Sequence, residues 1–129
     1  MSKAPGHQKW PDHRVTEEPI SQRIRVTVGE TTLADSTSVI RVEEDGHPTR
    51  YYFPTADVRM DRLQPSETST HCPFKGSARY FSVVDGGAAL QNAAWSYEEP
   101  FDEHIGLKGH IAFYDDKIPA IKVRSADGA

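Results

Sequence analysis

The chain is poor in cysteine: Cys72 is the only one in 129 residues. A lone thiol excludes an internal disulfide and the multi-cysteine zinc sites, which need several thiols together. Long apolar runs are missing as well. None approaches the roughly 20 residues that span a bilayer, so no membrane partner is expected. The first residues are polar and hold no apolar core of the kind a signal peptide carries. With a single cysteine, this makes the cytoplasm the expected compartment. The charge of one sign that marks a nucleic-acid binder is also lacking. Fifteen Lys and Arg face nineteen Asp and Glu for a net charge of −4, with the signs interleaved, and no nucleic-acid partner is expected from such a surface. Hydrophobic residues reach only 36%, which implies a modest core and long loops. No internal repeat or low-complexity block is present.

What the chain does have is alternation and turns. Its length suits one domain. Residues 1–14 read as an extended N-terminal arm, because Pro5, Gly6 and Pro11 interrupt regular structure and only Trp10 is apolar enough to anchor it. Residues 15–129 read as a single β domain. In Arg23-Ile24-Arg25-Val26-Thr27-Val28 the apolar residues fall on alternate positions, the period of a half-buried strand. Gly29-Glu30 is a tight turn into Thr31-Thr32-Leu33-Ala34. A strand over 38–43 meets Asp45-Gly46, a strong hairpin signal, and returns as Arg50-Tyr51-Tyr52-Phe53. Residues 77–84 and 88–97 form a second pair around Asp85-Gly86-Gly87. Residues 109–114 and 120–124 are the last strands. The one helix predicted covers 57–63, with Thr55 as cap and Pro65 beyond its end. It is too short to be stable alone and has to pack on a sheet. About eight short strands with regular turns predict a mainly β, antiparallel domain, either a sandwich or an open barrel.

Several pieces of the chain carry a family resemblance. They are Ala4-Pro5-Gly6-His7, Ala34-Asp35-Ser36-Thr37, Tyr51-Tyr52-Phe53-Pro54 with Asp57-Val58, Thr70-His71-Cys72-Pro73-Phe74-Lys75-Gly76 with Ala78 and Tyr80, Ala93-Ala94-Trp95-Ser96-Tyr97-Glu98-Glu99-Pro100, and Ala112-Phe113-Tyr114. In order and spacing the sequence resembles the bacterial domain-of-unknown-function family 427 over nearly its whole length. The resemblance implies a compact fold of the β-tent or Mss4-like group. Many relatives in that group hold a structural zinc through paired CxxC motifs. This sequence has none, so no structural zinc and no other metal or cofactor is expected. Some classifications also attach a nucleotidyltransferase label to the family. Such enzymes usually follow a Gly-Ser turn with two carboxylates that hold magnesium. Here Gly76-Ser77 is followed by Ala78-Arg79-Tyr80-Phe81, with no carboxylate, and fold-level analogy alone does not assign activity.

The candidate chemistry centres on Cys72. Pro73 biases Cys72 toward an extended backbone, Lys75 is placed to favour a thiolate, and His71 is a neighbouring base. If the segment is a strand, His71 and Cys72 point to opposite faces. Two readings stay open: a reactive thiol, or a small residue packed in the core. Lys75-Gly76-Ser77 lacks the upstream glycine and following helix of a phosphate loop, and Lys75 stands as an anion contact or a solvated lysine. Tyr52, Tyr80, Trp95 and Tyr97 are ring residues with polar tips that suit a small organic ligand or a packed core. Asp57 and Arg59 are placed at the rim of the pocket. His7, His13, His104 and His110 show no metal-ligand spacing; surface or structural roles are expected for them. The leading functional expectation is a small-molecule-binding module with Cys72 and Lys75 as the groups for any thiol-dependent step. The alternatives are a non-catalytic interaction domain that forms homo-oligomers through Trp10 of the arm, and a transferase resting on the family label.

Overall fold

The chain forms ten strands among the described residues, 3–85 and 88–125, of a computed structural model, most of them marked by alternating apolar residues and short turns. In chain order these are β1 (Val15–Ile20), β2 (Ile24–Val28), β3 (Thr31–Ser36), β4 (Val39–Glu44), β5 (Arg50–Pro54), β6 (Leu63–Cys72), β7 (Gly76–Asp85), β8 (Ala88–Ser96), β9 (His110–Phe113) and β10 (Ile121–Ser125). They form a seven-stranded sheet in the order β1-β4-β5-β9-β8-β7-β6 and a three-stranded sheet in the order β10-β2-β3. Every described pairing is antiparallel, so the mainly β, antiparallel reading holds.

The core lies between the two sheets. Ile24, Val26 and Val28 of β2 point inward as their alternation requires and meet Phe53, Val83 and Ile111 of the large sheet. The opposite face of the large sheet carries a second cluster, in which Tyr52, Tyr80, Trp95 and Tyr97 surround Ala78 and Ala112. One sheet is thus apolar on both faces, and the second face positions the candidate site. At Asp45-Gly46, Gly46 adopts φ +79°, a conformation that a side chain would strain, and the His47 amide donates to the Glu44 carbonyl at 3.0 Å to close the β4–β5 turn. In the turn expected at Asp85-Gly86-Gly87, Gly86 and Gly87 lie outside the described residues, although Asp85 and Ala88 pair across it.

Two local expectations are corrected. Residues 57–63 are not one helix. They form two 3₁₀ turns, Thr55–Asp57 and Met60–Arg62, separated by Val58 in an extended conformation. Val58 is buried and bridges Ala34, and the Arg59 amide donates to the Leu33 carbonyl at 2.7 Å. The edge of β3 takes the backbone groups that a helix would have needed. Nor is the N-terminal segment extended throughout. Pro5–Lys9 form one helical turn, α1, where Pro5 sits at a first-turn position whose missing N–H costs nothing. Gly6 then packs so closely that a Cβ there would lie 2.8 Å from the Phe74 ring and from the Pro73 carbonyl oxygen.

These packings differ in what they stabilise. Phe53→Ala, in the fully buried core, is expected to lower the unfolding free energy by about 3–5 kcal/mol. Gly6→Ala disturbs only the docked segment and is expected to cost about 1–3 kcal/mol. Urea unfolding of the two variants checks both values.

Candidate functional site

The site is built on the tip of the β6–β7 hairpin. Strand β6 ends at Cys72, and Pro73, Phe74 and Lys75 make the turn into Gly76. The tip is held from both sides. The Gly6 amide donates to the Pro73 carbonyl at 2.8 Å, and the Phe101 amide donates to the Lys75 carbonyl at 3.0 Å. Phe74 is buried beneath three rings of the N-terminal segment: His7 edge-on at 5.0 Å, Trp10 at 6.1 Å and His13 stacked at 4.1 Å.

So fixed, Lys75 turns its amine inward, where Nζ donates to Glu44 Oε1 at the end of β4. Both side chains are only 9% exposed. The other oxygen, Glu44 Oε2, lies 2.9 Å from His13 Nε2 and 3.6 Å from His47 Nε2. Burial alone would push the Glu44 carboxyl upward; the hydrogen bonds from Lys75 and His13 outweigh it and hold the group below its ordinary value. In sheet order β5, β9 and β8 lie between β4 and β7. On a flat sheet four strand spacings would put them about 19 Å apart. The Lys75–Glu44 contact therefore requires the sheet to curl and bring the hairpin tip over the strands between.

The space under that tip is a cavity of about 350 Å³ with an aromatic wall. Trp95 and Tyr97 share a face because they are two residues apart on the β8 segment, and Tyr80 is the cross-strand partner of Trp95. Ala112, opposite Trp95 on β9, leaves room for the indole. Trp95 Nε1 donates to the Tyr52 hydroxyl at 3.0 Å, and the Tyr80 hydroxyl is 3.0 Å from Thr70 Oγ1 and 3.3 Å from the Tyr114 hydroxyl. Arg50 lies over Trp95 and Tyr114 at 5.2 and 5.1 Å and is held from outside by Asp116 at 2.8 Å. Tyr97 differs from the other rings. It is 6% exposed and lines the cavity, yet among the described residues its hydroxyl has no hydrogen-bond partner. Burial, the main cause, pushes the phenols of Tyr52 and Tyr97 far above their ordinary value, so both are neutral donors.

The sequence pattern of one family, described as a domain of unknown function (DUF427), matches residues 16–124. The chain belongs to the DUF427 family. Among curated proteins the sequence comparison finds no match. The DUF427 match takes in the whole hairpin tip and the Trp95–Tyr97 wall, whereas α1 and His13 precede it.

Six of the expected site residues meet in this cavity: Tyr52, Cys72, Lys75, Tyr80, Trp95 and Tyr97. Cys72 is half-buried in its wall; His71 also borders the cavity, but its exposed ring is engaged elsewhere, 3.2 Å from Ser77 Oγ and edge-on to Phe101 at 5.9 Å. Asp57 and Arg59 are not brought there. Asp57 accepts from Ser36 Oγ at 2.6 Å, and Arg59 forms a two-bond pair with Asp61. They flank Val58, whose burial between the sheets carries the 55–62 segment away from the aromatic face. Glu44, His13, Arg50 and Tyr114 are cavity residues that the sequence reading missed. Glu44 had a readable signal, since it continues the alternation of Ile40 and Val42 on the same face of β4. Among the described residues no group of three or more His, Cys, Asp or Glu side chains is arranged to hold a metal ion.

The Glu44 carboxyl gives a pH signature. Because folding lowers its pKa, its contribution is complete above the ordinary value of 4.5 and is lost as the pH falls through the lowered folded value. Urea midpoints followed into acid are expected to fall less steeply in Glu44→Gln than in the natural protein; parallel curves would remove Glu44 as a source of acid sensitivity.

Proposed function

We propose that the chain is a small-molecule-binding module whose ligand sits in the aromatic cavity under the hairpin tip. The observation that carries this reading is Tyr97. The Tyr97 ring is buried, and its neutral hydroxyl, which has no protein partner among the described residues, opens on the cavity and can donate to a ligand acceptor there. The rings of Tyr80, Trp95 and Tyr114 offer a flat apolar wall. The cavity volume lies at the small end of the range for organic ligands. Together these features suit a planar ring compound with one hydrogen-bond acceptor.

A thiol-dependent step by Cys72 has less support. Lys75 Nζ is committed to Glu44, and the His71 ring is engaged by Ser77 and Phe101. Neither group is free to stabilise a thiolate. The transferase reading has least: no carboxylate closely follows the Gly76-Ser77 turn, and Asp57 and Asp61, an acidic pair four residues apart that could otherwise share a cation, lie on separate turns and serve Ser36 and Arg59. Association of copies through Trp10 rests on a ring that is 48% exposed. One side of that ring already packs against Phe74 of its own chain, and no second large exposed apolar residue adjoins it among the described residues of the N-terminal segment.

The test is a screen of planar heteroaromatic fragments by titration calorimetry against the natural protein and Tyr97→Phe. The variant is expected to be as stable as the natural protein, since it deletes a hydroxyl that bonds no other described residue. It should bind the best fragment about 2–10-fold more weakly, the worth of one hydrogen bond. Fragments that bind both proteins equally, or none that bind, would overturn the reading.

A further inference from the structure

Outside the cavity, two histidines and a carboxylate hold the N-terminal segment down by a contact that counts protons. His7 lies on α1, His104 on the 3₁₀ segment Asp102–Leu107, and Glu17 on β1. The two Nε2 atoms are 2.8 Å apart, and His104 Nδ1 contacts Glu17 Oε2. The carboxylate accepts, so His104 Nδ1 carries a hydrogen. Only one hydrogen fits between the two Nε2 atoms. With both rings neutral, His7 donates to the bare nitrogen of His104. With one more proton, His104 donates to the bare nitrogen of His7. A further proton would set N–H against N–H and one imidazolium against another. The docked pair thus holds at most three ring protons.

The surroundings decide the direction. From the 102–107 segment, Glu103 accepts the Ala4 amide at 2.9 Å, beside His104. From β1 comes Glu17, and from the hairpin tip the uncharged Phe74 ring. Within the segment itself His13 faces Glu44 of β4, with Lys75 on that carboxylate's other oxygen. Of the carboxylates beside the pair, Glu17 is engaged by His104 and Glu103 accepts the Ala4 amide; Glu103 favours charge on His7, and burial with the neighbouring His104 outweighs it. Burial, and then His104, hold His7 below the ordinary imidazole value of 6.5. The sign follows: docking is undiminished above that value and is lost as the pH falls through the lowered one.

We propose that residues 3–10 form an acid-released strap over the hairpin tip, locked by the shared His7–His104 hydrogen and hinged at His13. Release uncovers the face of Phe74 that Gly6, His7 and Trp10 cover, next to the wall of the cavity. The strap is independent of whether the cavity takes a ligand. Hydrogen exchange on the full chain tests it. After correction for intrinsic rates, protection of residues 3–12 is expected to fall about tenfold between about pH 7.5 and about pH 5.5. His7→Gln, which donates or accepts at the same position without titrating, is expected to keep its protection at both. Unchanged protection in the natural protein, or an equal loss in His7→Gln, overturns the proposal. An NMR titration of the natural protein gives a second readout that needs no variant. Uptake of both ring protons by His7 and His104 with the segment still protected also overturns it.

Discussion

The contact on which the site depends is the ion pair between Lys75 and Glu44. Two opposite charges are taken almost wholly out of water, a cost offset only if their geometry and further hydrogen bonds are good. Glu44 meets that condition through His13 on its second oxygen, and the Lys75 amine also lies 5.9 Å from the centre of the Tyr97 ring. Glu44 ends β4 and Lys75 lies in the turn leading into β7, and three strands separate those two in the sheet. The pair therefore holds more than a local turn: it holds the curl of the large sheet, and the cavity is the space that curl encloses. Burying the hairpin tip, clamping it through Gly6 and Phe101, and seating Phe74 among three rings all keep Lys75 aimed at one carboxylate.

The two faces of the large sheet divide the work. The face toward β2, β3 and β10 is filled by aliphatic residues and phenylalanine, with few polar atoms to satisfy. It supplies cohesion. The other face is built from rings with polar tips, most of them bonded to one another or to Thr70. Such a surface is apolar enough to stay folded and polar enough to recognise a molecule. Its charges are paired inside the chain, Arg50 with Asp116 and Lys75 with Glu44. A ligand with no net charge disturbs neither pair.

Eight of the ten strands and most turns were legible because their signals are local; β1 and β6 were not, since Leu63–Cys72 carries no apolar alternation and Pro65, read as a helix stop, lies within β6 opposite Phe81. Ile24, Val26 and Val28 alternate, and Asp45-Gly46 supplies the positive φ that a tight hairpin needs. The 57–63 segment misled because its helical signal is also local, while the groups that decide it, Ala34 and Leu33, lie more than twenty residues away. The wall of the site was legible for a related reason: Tyr52, Tyr80, Trp95 and Tyr97 all fall on one face by strand period. Glu44 as the partner of Lys75 was not, since no spacing in the sequence reports how far a sheet curls. His13 was missed because an N-terminal segment rich in proline and glycine reads as unanchored, and its anchor, Phe74, is made available only by the hairpin tip.

A double-mutant cycle on the buried pair tests the account most directly. The chain would be compared with Lys75→Met, Glu44→Leu and the combined variant by urea unfolding. Each single change strands a buried charge and is predicted to cost about 3–5 kcal/mol, while the double, with no charge left to strand, loses less than their sum by at least about 2 kcal/mol. Additive losses, or single variants as stable as the natural protein, would show that the pair does not hold the curl, and the cavity would lose its physical basis.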